Sequence, residues 1–170
     1  FALGLCRHII DNNLHKTDYL TRTSETSAKK NIGGQKYQNW TNATYLINES
    51  THKFINTNEA GLPANTTTVN GAVLKAANAI TVADTTGFQD TGYIMIGSEH
   101  IVYSAKTATT FTLSKRGANN TTAADISDGT TVSIPFVVWT GTEAKPFDSV
   151  DQATLEYKGI VNSINCETSF

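Results

Sequence analysis

The run from Tyr93 to Tyr103 reads Y-I-M-I-G-S-E-H-I-V-Y, and it constrains the fold more than any other stretch. Two segments rich in β-branched and aromatic residues, Tyr93–Ile96 and His100–Tyr103, flank Gly97-Ser98-Glu99. This is the pattern of a β-hairpin, with glycine free to take the positive φ that a tight turn demands. Side chains alternate across a strand with period two. Ile94 and Ile96 therefore share one face and Tyr93 and Met95 the other, while Ile101 and Tyr103 oppose His100 and Val102. Both faces are partly apolar, so the hairpin is expected to pack on its own module and on something else besides. A second hairpin follows, Val102–Ala105 against Phe111–Ser114, closed by Lys106-Thr107-Ala108-Thr109. The Phe111 strand is expected to end at Arg116-Gly117, and Asp128-Gly129 marks a further turn.

The rest of the chain leads into and out of this meander. Ile80 and Val82 share a strand face, and Phe88, just after Gly87, is placed to plug the end of a small core. The run Val132–Trp139, V-S-I-P-F-V-V-W, is the most apolar strand candidate. Pro135 cannot donate a ladder hydrogen bond, so it implies an edge strand or a central bulge. An apolar edge needs a cover, and a neighbouring subunit is the expected one. This nominates Ile134, Phe136, Val138 and Trp139, with the outward Tyr93 and Met95 and the terminal Phe170, as a candidate subunit interface. Ala43–Asn48 and His52–Asn56 form a further hairpin candidate around Glu49-Ser50-Thr51. Asn56–Asn70 reads as a loop and the boundary between two portions. Gln152–Cys166 reads as a last strand pair turning at Lys158-Gly159. Near the start, Leu5, Ile9 and Ile10 fit one side of a short helix before Asp11-Asn12-Asn13, though Phe1-Leu3-Leu5 also alternates as a strand. Thr23–Gln35 reads as a loop or arm.

The expected fold is mainly β, an antiparallel β-sandwich or small β-barrel with a flexible N-terminal extension. Residues 1–70 form an arm or anchor segment with a hairpin. Residues 71–170 form the β-module and C-terminal strands, packed as one domain. A chain of 170 residues buries a working core without metals or disulfides. Thr and Asn are abundant while only 16% of residues are charged, a look shared by fibres, capsid parts and adhesins. The net charge of −2 gives no electrostatic case for nucleic acid or anionic membrane. No apolar run approaches the roughly 20 residues of a membrane helix, and the first residues do not read as a signal peptide.

Chemistry is sparse. No phosphate-binding glycine loop, zinc motif or nucleophile elbow occurs. His8 and His15 lack a third ligand and read as surface or interface histidines. Asp148, Asp151 and Glu156 are the densest acids, yet nothing implies the cleft a glycosidase needs, and they read as solvated loop acids. Glu99 and Arg116 are candidates for an ion pair, which at an exposed site contributes only about 0–1 kcal/mol. Cys6 and Cys166, near opposite ends, are either a disulfide or two small buried thiols. Tyr37, Trp40 and Tyr45 are a candidate platform for a sugar, although aromatics at this density more often fill a core or an interface.

One set of residues carries a resemblance. Ile80-Thr81-Val82, Gly87-Phe88, Gly92, Ile96-Gly97-Ser98-Glu99-His100-Ile101-Val102-Tyr103, Phe111, Arg116-Gly117, Thr121-Thr122-Ala123-Ala124 and Asp128-Gly129-Thr130-Thr131-Val132 follow in order. As an ordered set this resembles a small β-module that recurs in structural proteins of tailed bacteriophages, and it covers about a third of the chain. The resemblance implies a non-enzymatic virion structural protein without cofactors. It would assemble with copies of itself and other virion proteins as a capsid decoration or cement protein, or as a tail, neck or fibre-attachment component. Two other readings remain open: a carbohydrate-binding or adhesin-type domain with a host-surface glycan as partner, and an extracellular filament subunit.

Overall fold

In the computed structural model of the protein, which describes residues 2–12, 14, 41, 44–151, 155, 162–163 and 166–168, the central hairpin forms as its sequence dictates. β4 (Gly92–Ile96) pairs with β5 (Glu99–Lys106), Tyr93 facing Val102 and Met95 facing His100. Gly97 takes φ +59° at the first central position of the two-residue turn, the demand of a type II′ connection. β5 then pairs with β6 (Thr110–Ala118), so this strand runs past Arg116-Gly117 instead of stopping there. Its pairing carries register shifts between His100 and Ala105, and such bulges increase strand twist.

With β2 (Thr66–Thr68), β3 (Ala79–Thr81) and β7 (Thr131–Ser133), these strands form one antiparallel sheet in the order β2-β7-β4-β5-β6-β3. The sheet curls into a half-barrel, and its two outer strands meet at one place. There Val69 bridges Val82, with Asn70 N–H donating to Thr81 O and Ala83 N–H to Thr68 O, each at 2.9 Å. β2 thus carries residues before position 70 into the sheet, so the expected boundary at 70/71 does not divide it.

The concave face holds the main core. Ile80, Val82, Ile94, Ile101, Phe111 and Val132 have no measurable exposure, and Phe88 packs edge-on against Phe111 at 5.2 Å. The period-two reading of the hairpin is therefore correct. Tyr103 joins this core through its ring and satisfies its hydroxyl by donating to Gln89 O at 2.9 Å.

A second, smaller unit sits beside the half-barrel. β8 (Val137–Trp139) pairs with β9 (Ala144–Pro146), and β1 (Leu46–Asn48) pairs with β11 (Cys166–Thr168), which also pairs with β10 (Asn162–Ser163). Tyr45 bridges Val138, and Leu46, Ile55, Ala60 and Val137 form its core. The hairpin expected around Glu49-Ser50-Thr51 forms, with Asn48 Oδ1 accepting the N–H groups of Ser50 and Thr51. At the N-terminus, Ala2–Asp11 is a helix, α1, with Arg7 and Asp11 paired at 2.8 Å on its exposed surface.

Two expectations are corrected. Val132–Trp139 is not one strand: the chain leaves the six-stranded sheet after Ser133 and enters the small one at Val137, with Pro135 at the break. Proline, lacking its N–H, marks the exchange between sheets. Neither half is an open edge. β7 lies between β2 and β4, and β8 lies between β9 and the bridge to Tyr45, where Trp139 N–H donates to Thr44 O. The stretch Asn56–Asn70 is also more than a loop. Thr57 is fully buried, its N–H donates to Ile134 O, and its hydroxyl donates to Asn65 O at 2.6 Å while accepting Ile134 N–H at 2.9 Å.

Candidate interaction surface

Glu99 is on the inward face of β5, in phase with Ile101 and Tyr103, and is 3% exposed. A buried carboxylate is tolerable only when paired and hydrogen-bonded. Arg116 supplies the pair with a two-pronged contact, Nε to Oε1 at 2.7 Å and Nη2 to Oε2 at 2.8 Å. Gly117 N–H donates to Oε1 at 3.0 Å and Ala124 N–H to Oε2 at 3.2 Å. The guanidinium also donates to Leu74 O and Ala124 O. Burial works against the Glu99 charge, but Arg116 and the two amides outweigh it and hold the carboxyl below its ordinary range. The sequence reading of an exposed, weak pair is overturned: the pair is a buried pin across β5, β6 and the Thr121–Ala124 loop.

The outward face of β4 and β5 carries Tyr93, Met95, His100 and Val102, all half-buried. The second support expected for this face comes partly from the chain itself. Phe136 lies edge-on to the His100 ring at 5.6 Å, and Asn56 Nδ2 sits 3.9 Å from the Met95 sulfur. Burial lowers the His100 pKa. Asp148, in the 3₁₀ turn Phe147–Ser149, accepts Tyr93 N–H at 3.3 Å. It is half-buried, not a solvated loop acid, and burial raises its pKa. That carboxylate stands close to Gly92, where a Cβ would lie 2.7 Å from Asp148 Oδ2.

Beside this face, four rings meet. Tyr45 packs against Phe54 at 5.5 Å, Phe136 at 5.8 Å and Phe147 at 5.1 Å, and Phe54 packs against Phe136 at 5.8 Å. Burial, then the nearby Asp148 charge, pushes the Tyr45 phenol well above its ordinary range. None of the four rings is fully buried, and Phe54 is 42% exposed. Clusters of this kind at a surface mark contact sites more often than isolated apolar residues do.

The nominated residues divide accordingly. Phe136 is in the aromatic cluster, and Tyr93 and Met95 lie on the adjoining strand face. Ile134 and Val138 are buried inside the chain, and Trp139 packs on the smaller core, so these three follow from its own folding. Tyr45 has three phenylalanine neighbours. Tyr37, Trp40 and Phe170 lie outside the described residues, as do the side chains of Cys6 on α1 and Cys166 on β11. Phe54 and Phe147 were not nominated, and no local pattern singles them out. Among the described residues, no group of three His, Cys, Asp or Glu side chains is placed to hold a metal ion, and no helix is long and apolar enough to cross a membrane. Neither a protein-family model nor a curated protein matches the chain.

Proposed function

We propose that the chain is a non-enzymatic structural component of a tailed-phage particle, working as an oligomer through its aromatic surface. The observation that carries this reading is the convergence of the phage-type signature residues. Glu99, Arg116-Gly117 and Ala124 belong to separate pieces of that signature and meet in one hydrogen-bonded cluster. The other pieces have equally structural tasks. Ile80, Val82, Phe88 and Phe111 fill the core, and Asp128 accepts Gly71 N–H at 2.7 Å. Gly87 passes so close to Ala64 that any Cβ would collide with its carbonyl oxygen. The signature thus specifies a scaffold, and its residues are used up in holding that scaffold.

A particle component acts by presenting surface. The aromatic cluster is the part of the described surface best suited to this, because flat rings bury large area at small entropic cost. A specific contact of standard size buries roughly 1,600 Å² in total. Attachment to the head as a decoration protein and attachment to the neck or tail are both compatible with this surface. The test is the protein content of gradient-purified particles from a culture producing the chain. A virion component persists at constant ratio to the major capsid protein through successive gradients. A chain that washes away overturns the reading.

A further inference from the structure

The smaller unit meets the half-barrel through ties of different chemistry. At Thr57 the tie is a hydroxyl with backbone groups of Ile134 and Asn65, and nothing in it titrates. At Asp148 the tie is a carboxylate. β7 pairs with β4 at Met95 and Ile96, so it leaves Gly92–Ile94 uncovered on that side. In its place Asp148, on the turn Phe147–Ser149, accepts Tyr93 N–H at 3.3 Å. It also closes on Gly92, where a Cβ would meet Asp148 Oδ2 at 2.7 Å and Tyr103 Oη at 3.4 Å.

On its other side the carboxylate borders an open cavity of about 450 Å³, lined by Gln89, Asp90, Thr91, Gly92 and Tyr93 as well as Asp148. The titratable groups that face Asp148 are the Asp90 carboxylate in this cavity and the phenols of Tyr103, on β5, and Tyr45, just before β1. Burial, then the Asp148 charge, holds both phenols well above their ordinary range, so they stay neutral. Among the described residues no cationic side chain lines the cavity, and Lys145, the nearest in sequence, pairs with Glu143 at 2.9 Å. A charge on Asp148 therefore finds a long hydrogen bond, a second carboxylate and buried rings, whereas the protonated acid suits the same place.

We propose that Asp148 is a pH-sensitive latch on the aromatic surface. Protonated, it holds the Phe147–Ser149 turn against β4. Ionised, it turns into the water of the open cavity. The turn then pivots about the bond from Phe147 N–H to Phe136 O and shifts the Phe147 ring on Tyr45. Burial raises the Asp148 pKa, so the latch is closed in acid and opens as pH rises through that raised value. Its consequence for association rests on the assembly reading: contacts through this surface are stronger below the midpoint than above it.

The test is a pH titration of the full isotope-labelled chain followed by NMR. The amides of Tyr93, Phe147 and Ser149 are expected to share one midpoint above the ordinary aspartate value. Cross-relaxation between the Phe147 and Tyr45 rings is expected to weaken above that midpoint. Asp148→Asn keeps an oxygen for Tyr93 N–H, so it should abolish the shared midpoint and keep the ring contact at every pH. A midpoint at or below the ordinary aspartate value overturns the proposal, as does a Tyr93 titration that leaves the ring contact unchanged. The parent chain decides this by itself, even if the variant fails to fold. Sedimentation velocity at the same pH values separates the two readings. Association that weakens above the midpoint in the parent but not in Asp148→Asn supports the coupling, and association that ignores the midpoint overturns it. A latch that titrates in a chain monomeric at every pH stands, and the assembly reading falls.

Discussion

At the scale of single residues, two carboxylates respond to pH with opposite sign. The Glu99 pKa is depressed in the fold, so its stabilisation is present above the ordinary glutamate range and is lost as pH falls through the lowered folded value. Glu99→Gln leaves Arg116 as a buried cation with an inadequate partner, and breaking a buried pair in this way costs about 3–5 kcal/mol. Denaturant unfolding at neutral pH measures that loss, and the variant's stability should fall less steeply in acid than that of the parent. Asp148 is the reverse case. Its pKa is raised by burial, so the protonated form suits the fold better, and stability is lost as pH rises through the folded value. Asp148→Asn keeps an oxygen to accept Tyr93 N–H and removes the buried charge. It should raise the melting temperature at neutral pH and have little effect below the carboxylate range. A lower melting temperature at neutral pH would mean that the Asp148 charge has a favourable partner.

At the scale of elements, the hairpin was legible because every residue agreed with its neighbours: β-branched strands, alternating faces and a glycine where φ must be positive. The Glu99 pin was legible in principle, since period two places position 99 inward with Ile101 and Tyr103. An acid in that phase needs a buried partner, and the exposed-pair reading ignored the phase. The meeting of Tyr45, Phe54, Phe136 and Phe147 was only half legible: Tyr45 and Phe54 lie on the two arms of the hairpin expected around Glu49-Ser50-Thr51, but Phe136 and Phe147 flank the β8–β9 pair, and only tertiary packing brings the two pairs together. Val132–Trp139 misled because hydrophobicity alone does not say that a chain changes sheets at Pro135. Close approaches are similarly invisible in sequence. Gly87 lies against the Ala64 carbonyl, with Asn65 Nδ2 donating to Gly87 O. Gly87→Ala forces the 3₁₀ turn Pro63–Asn65 away from the half-barrel, and overpacking of this kind costs about 1–3 kcal/mol. A thermal melt indistinguishable from the parent's would show that the turn yields freely.

At the scale of the whole molecule, the half-barrel is a closed account of its own core, and the aromatic cluster beside it is not. Phe54→Ser removes a ring that is 42% exposed but packs on Tyr45 and Phe136, so folding stability should fall by about 1–3 kcal/mol. Self-association should weaken, which sedimentation velocity measures directly; equal loss of both would mean that Phe54 serves only the fold. The most direct test of assembly on a particle is immunogold labelling of intact phage with an antibody against this chain. The expected result is gold on the particle, spread evenly over the head for a decoration protein or confined to the neck or tail for an attachment component. A chain absent from both intact and disrupted particles would contradict the virion reading outright.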